Sequence, residues 1–164
     1  MKFTQRFTRR LLGFTIVELL VVLAILGVLS TALLPLGETL LRAQQERELR
    51  LALWEIRNAI DAYKKVSDLG AIGTTGLQTG YPPDLKALTA GAPDARPASR
   101  GQALYFLRRL PRDPFADPAL PADQTWRLRS YASPPDRPAP GADVFDIASS
   151  SNETAQDGSR YAAW

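Results

Sequence analysis

From Phe14 to Leu36 the chain is apolar at nearly every position, with Glu18 as the one charge and Thr15, Ser30 and Thr31 as the hydroxyls. A run of about 23 such residues predicts a helix long enough to cross roughly 30 Å of hydrocarbon. Gly27 and Pro35 lie inside it, and Pro35, which lacks a backbone donor, predicts a kink. The helical pattern then continues. Leu49, Leu53, Ile56, Ile60 and Tyr63 recur at three- and four-residue spacing beside Ala52 and Ala59. Glu46, Glu48, Arg50, Glu55, Arg57 and Asp61 fill the remaining faces. This predicts one long helix, apolar all round at first and amphipathic later, whose stripe packs on the chain's own core. It should end near Val66 to Leu69, before Gly70, Gly73, Gly76 and Gly80.

Further on, the pattern shortens. YPPDLKALTAG (81–91) predicts a short helix closed by glycine, and GQALYFLRRL (101–110) fits helix and strand equally. LPRDPFADPALP is a proline-dense loop, in which Asp113-Pro114 and Asp117-Pro118 read as turn formers and not as catalytic carboxylates. TWRLRSYAS (125–133) and ADVFDIASS (142–150) alternate as strands do and form a hairpin across SPPDRPAPG. The tail ends on Tyr161 and Trp164, which are expected to pin it back on the sheet. Trp54, Trp126 and Trp164 read as core or interface residues. The fold class is α+β, a long helix packed on a small antiparallel sheet.

Composition narrows the chemistry. There is no cysteine and no histidine, which removes disulfides, thiolate or imidazole metal sites, thiol nucleophiles and imidazole bases. No catalytic residue is assigned. The net charge of +3 belongs to the amino terminus: Lys2, Arg6, Arg9 and Arg10 supply four of the twenty basic residues, and the remaining sixteen face seventeen acidic ones. Four cations ahead of an apolar run are the mark of a segment held in the cytoplasm, and the rest of the chain has no phosphate footprint for nucleic acid. Glu18 is the anomaly, because a carboxylate within hydrocarbon costs at least about 2.5 kcal/mol and signals function.

At GFTIVELLVVLAILGVL (13–29) the sequence resembles the amino-terminal signal of type IV pilins and of the pseudopilins of type II secretion. The basic leader, Gly13, Phe14, Glu18 as fifth residue after the cut, and Pro35 carry the likeness. The resemblance implies cleavage by a prepilin peptidase between Gly13 and Phe14, N-methylation of Phe14, and assembly of the helices into a fibre. The cationic terminus of Phe14 on a neighbouring copy would then compensate Glu18. A conventional secretory signal cut after Ala32, following Ser30, is the rival reading of this segment.

The second half sharpens the resemblance. YPPDLKAL, then Leu110, Pro111, Asp113, Pro114 and Phe115, then WRLRSY, DVFDIASS and Trp164 are similar to the major pseudopilin of type II secretion. That likeness implies residues 1–13 as a cleaved leader, 14–37 as a transmembrane and assembly helix, 38–69 as its amphipathic continuation, and 70–164 as a periplasmic globular domain. It also implies calcium in the C-terminal loop, where Ser149, Asn152, Glu153 and Asp157 could supply the oxygens, although Asn152 stands where the family carries an aspartate; the alternative reading is that these residues only make turn hydrogen bonds. The implied partners are copies of the chain itself, minor pseudopilins, the prepilin peptidase and an inner-membrane assembly platform. Two readings stay open beside it: a minor pseudopilin or type IV pilin of a surface fibre, and a single-pass membrane protein with a periplasmic binding domain that does not polymerise.

Overall fold

Helix α1 runs from Ile16 to Asp68, 53 residues, and is the frame of the molecule. The computed structural model describes residues 14–73, 79–99 and 102–164, without the side chains of residues 31–36 and 98. Gly13 and the basic leader lie outside the described residues, as does the side chain of Pro35, through which the helix is continuous. The chain divides into two units, one ending at Leu41 and the other spanning Arg42–Trp164.

In the first unit none of the described side chains of α1 is buried. Phe14 is 83% exposed, and Ile16, Val17, Leu19, Leu20 and Val28 are open on successive faces. Among the described residues no helix is long and apolar enough to cross a membrane.

The second unit is built on the remainder of α1. Leu49, Leu53, Ile56 and Ile60 are buried at the predicted spacing, with Ala52 and Ala59 beside them. Each such aliphatic side chain withdrawn from water contributes roughly 1.5–3 kcal/mol, which outweighs any surface pairing on the helix. The stripe also reaches further back than the apolar residues show. Glu46 is buried three residues before Leu49, in phase with 49, 53, 56 and 60. The helix closes as its sequence requires: Gly70 takes a φ of 68°, its N–H bonds the carbonyl of Ser67 at 2.9 Å, and the N–H of Ala71 bonds that of Val66 at 3.1 Å. This pair of bonds satisfies carbonyls left over at the helix end, and only glycine enters the left-handed region without strain.

Helix α2 is a single turn, Ala87–Ala90. It starts later than the sequence pattern predicts, where the Asp84 carboxylate accepts from the N–H of Ala87 at 2.8 Å. Gly91 closes it at φ 85°, and a Cβ there would lie 2.8 Å from the Tyr105 ring. Strands β1 (Ala92–Pro93) and β2 (Ala103–Leu104) pair antiparallel, so the described part of the 101–110 segment is strand at Ala103–Leu104.

Strands β3 (Trp126–Arg129) and β4 (Asp146–Ser149) form the second antiparallel pair, with Trp126 opposite Ser149 and Arg129 opposite Asp146. The predicted strands are longer than the observed ones. The reason is Asp143, a buried carboxylate that accepts from the Ser130 hydroxyl at 2.6 Å and the Tyr131 N–H at 2.9 Å. The Tyr131 N–H is thereby taken out of the ladder, and the proline-rich connection follows. Arg57 ties α1 to β4 by donating to Asp146 Oδ1 at 2.8 Å and to the carbonyl of Ile147 at 2.9 Å.

Several carboxylates of this unit are held ionised. Side-chain and backbone hydrogen bonds from Arg96 hold Asp94 at about 2, against an ordinary 3.8. For Asp143 burial acts upward, but hydrogen bonds led by the Ser130 hydroxyl outweigh it and the net shift is downward. Hydrogen bonds from Ser159 lower Asp157. A carboxylate whose folded value lies below its unfolded one stabilises the fold above the unfolded value and loses that contribution as pH falls. The unfolding midpoint should therefore hold steady at neutral pH and fall as pH drops from 3.8 towards about 2. Asp94→Asn should lower the midpoint at neutral pH and flatten this decline. A midpoint indifferent to acid in both proteins would contradict the assignment.

Candidate functional site

Two regions carry the residues to which the sequence attaches function. The first is the start of α1. Thr15 caps the helix: its Oγ1 accepts from the backbone N–H of Glu18 at 3.2 Å, and its carbonyl accepts from Leu19 N–H at 3.1 Å. Thr15-Ile-Val-Glu18 has the spacing of a capping box, a signal present in the sequence but passed over there. The cap uses the main chain of Glu18, so the carboxylate remains available. It is exposed, and among the described residues no cation pairs with it. An acid in the first turn also suits the positive end of the helix dipole.

The second region is the C-terminal loop. Its four expected calcium ligands go to four separate partners. Ser149 donates to Asp113 Oδ2 at 2.6 Å, and Asn152 Oδ1 accepts from Arg127 at 3.3 Å. Glu153 pairs with Arg42 at 2.5 Å, and Asp157 with Arg50 at 3.2 Å. Calcium takes six to eight oxygens, several of them carboxylate. Among the described residues no group of three or more acidic side chains gathers around a common point. As arranged, this donor set does not fit the ion.

What seats the loop is a polar network on α1. Tyr161 is fully buried and donates its hydroxyl proton to Glu46 Oε1 at 3.0 Å, while Arg42 Nε donates to the same hydroxyl oxygen at 3.3 Å. Burial first, and then Glu46, raise the Tyr161 phenol above its ordinary value, with Arg42 acting the other way. Glu46 Oε1 also accepts from Gln156 N–H at 2.9 Å. The ring of Tyr161 stacks on Phe115, with centroids 4.1 Å apart. Trp164 accepts from Arg57 through its carbonyl at 2.6 Å and lies under the Arg50 guanidinium at 4.2 Å. The two aromatics pin the tail as the sequence pattern predicts, with the 161–163 turn packed on β4, and their polar contacts tie it to α1 as well.

Asp113 is the residue that sequence reasoning undervalued. It is 1% exposed and joins three segments. Oδ1 accepts from Phe115 N–H at 2.9 Å, and Oδ2 accepts from the Ser149 hydroxyl and from Ser150 N–H at 3.2 Å. Its own N–H donates to Thr125 Oγ1 at 3.2 Å, and the neighbouring Pro111 carbonyl accepts from Trp126 Nε1 at 3.0 Å. The Leu110–Phe115 stretch is thus a structural junction between β3, the end of β4 and the tail. None of this geometry places a nucleophile, a base and an open substrate position together.

Comparison with known proteins bears on both regions. Residues 9–34 match the family model of the prokaryotic N-terminal methylation motif. Over 113 residues the chain is 30% identical to the type II secretion system core protein G of Aeromonas hydrophila, which covers 67% of this chain and 71% of that protein. No solved structure gives a significant match. A methylation motif at the amino terminus and this extent of likeness beyond it place the chain in the family of type II secretion pseudopilins.

Proposed function

We propose that the chain is a structural subunit of a periplasmic pseudopilus and no enzyme. A prepilin peptidase cuts it between Gly13 and Phe14 and methylates the new amino group. The first unit of α1 holds the subunit in the inner membrane with its C-terminal unit in the periplasm, until copies bundle into a fibre beside minor pseudopilins. The observation that carries this reading is the exposed first unit: Phe14 and the apolar side chains on every face of α1 from Ile16 to Leu29, with a carboxylate at Glu18 that no cation among the described residues pairs. Exposed apolar surface of that extent requires a cover, first lipid and then other copies. The positive terminus of Phe14 on an adjacent copy gives Glu18 its partner.

The absence of cysteine supplies the test. Cysteines placed in one chain at Ile16 and, in turn, at positions 19 to 29 should give oxidised ladders of two, three and more copies at certain pairings. A head-to-tail helical assembly extends indefinitely, whereas a two-fold contact stops at dimers. Monomers and dimers alone at every pairing would count against polymerisation.

A further inference from the structure

We propose that Arg42 and Arg50 of α1 and Arg127 of β3 take the place of a divalent cation in this chain, so that the C-terminal loop stays seated without calcium. The loop carries two carboxylates, Glu153 and Asp157, and each already faces a guanidinium, at 2.5 and 3.2 Å. Its one side-chain amide oxygen at the expected ligand position, on Asn152, accepts from the third arginine. Guanidinium groups have donors only and cannot join a coordination shell. An incoming calcium ion would have to draw both carboxylates off their arginines and then sit among three fixed positive charges.

Two of these arginines are also held from their other sides. Arg42 reaches the Tyr161 hydroxyl, and Arg50 lies over the Trp164 ring. The loop meanwhile closes on itself. Asp157 Oδ1 accepts from the N–H and hydroxyl of Ser159 at 2.9 and 2.6 Å, and Ala155 N–H donates to the Ser159 carbonyl at 2.7 Å. Both oxygens of Asp157, Oε2 of Glu153 and the amide oxygen of Asn152 are thus already engaged in turns and ion pairs. This arrangement belongs to the Arg42–Trp164 unit and holds whether or not the chain polymerises.

The test uses the full-length chain in detergent, melted in millimolar calcium chloride and again in chelator. A ligand of the native state must raise the melting temperature, so equal midpoints are expected, and a rise of several degrees with calcium would overturn the proposal. Hydrogen exchange gives the second arm. In Arg42→Gln/Arg50→Gln, amides of residues 153–160 should exchange roughly tenfold faster in either medium, the size expected from two exposed ion pairs opening locally. Unchanged exchange in the double variant would equally overturn it. If that variant does not fold, the calcium comparison on the native chain still decides the matter.

Discussion

Replacing Asp113 by alanine is expected to destabilise the Arg42–Trp164 unit by about 3 kcal/mol, because three donors lose their acceptor at a buried site. The Phe115 and Ser150 N–H groups and the Ser149 hydroxyl would face a cavity that water enters poorly. Ser149 also accepts from Ser151 N–H at 3.1 Å, so the loss should propagate along the start of the C-terminal loop. Asparagine is a partial replacement. It can still accept from Phe115, but its amide group would present a donor where Ser149 and Ser150 already donate, and it should cost less than alanine without being neutral. Urea and thermal unfolding followed by tryptophan fluorescence measure both. A fall in Tm of roughly 10 °C corresponds to the expected loss for alanine in a unit of this size. A loss below about 1 kcal/mol for alanine would show that the junction relaxes around the missing acceptor.

Glu18→Ala should leave the second unit intact and abolish assembly. Removing one member of an ion pair in a low-dielectric contact costs about 3–5 kcal/mol, since the other charge is left unpaired. For each subunit contact that is at least roughly a hundredfold in association. The cysteine ladder should collapse to monomer while the melting temperature stays at the parent value. Thr15→Ala is the control, because it removes the helix cap and keeps the carboxylate. A lost cap costs about 1 kcal/mol of local helix stability and should shorten the ladder far less than Glu18→Ala does. Ladders of parental length in Glu18→Ala would deny the carboxylate a place in the contact.

Much of the frame was legible because it rests on local rules. The 49–63 stripe follows from helical periodicity, the stop at Gly70 from the need for a left-handed residue, and the β3–β4 pairing from alternation on either side of a proline-rich turn. The polar junctions were not legible, because their partners lie far apart in sequence. Ser149 meets Asp113 across 36 residues, Arg50 meets Asp157 across 107, and Tyr161 meets Glu46 across 115. A charged residue on a helix reads as solvated unless its buried partner is known. Glu46 shows what remained recoverable, since it falls in phase with Leu49, Leu53 and Ile56, and that phase alone marks it as inward-facing. Asp113 carried no such mark, because aspartate before proline is usual in any turn. The Thr15–Glu18 cap was legible and was overshadowed by the question of why Glu18 is charged.

The central claim is that α1 begins at a processed terminus made for a neighbouring Glu18. Mass spectrometry of the amino-terminal peptide from chain recovered from membranes tests it most directly. The account predicts a peptide that begins at Phe14 and carries one added methyl group on its amino nitrogen. A peptide beginning at Leu33, as a conventional signal cut after Ala32 would leave, or one that retains Gly13, would contradict it.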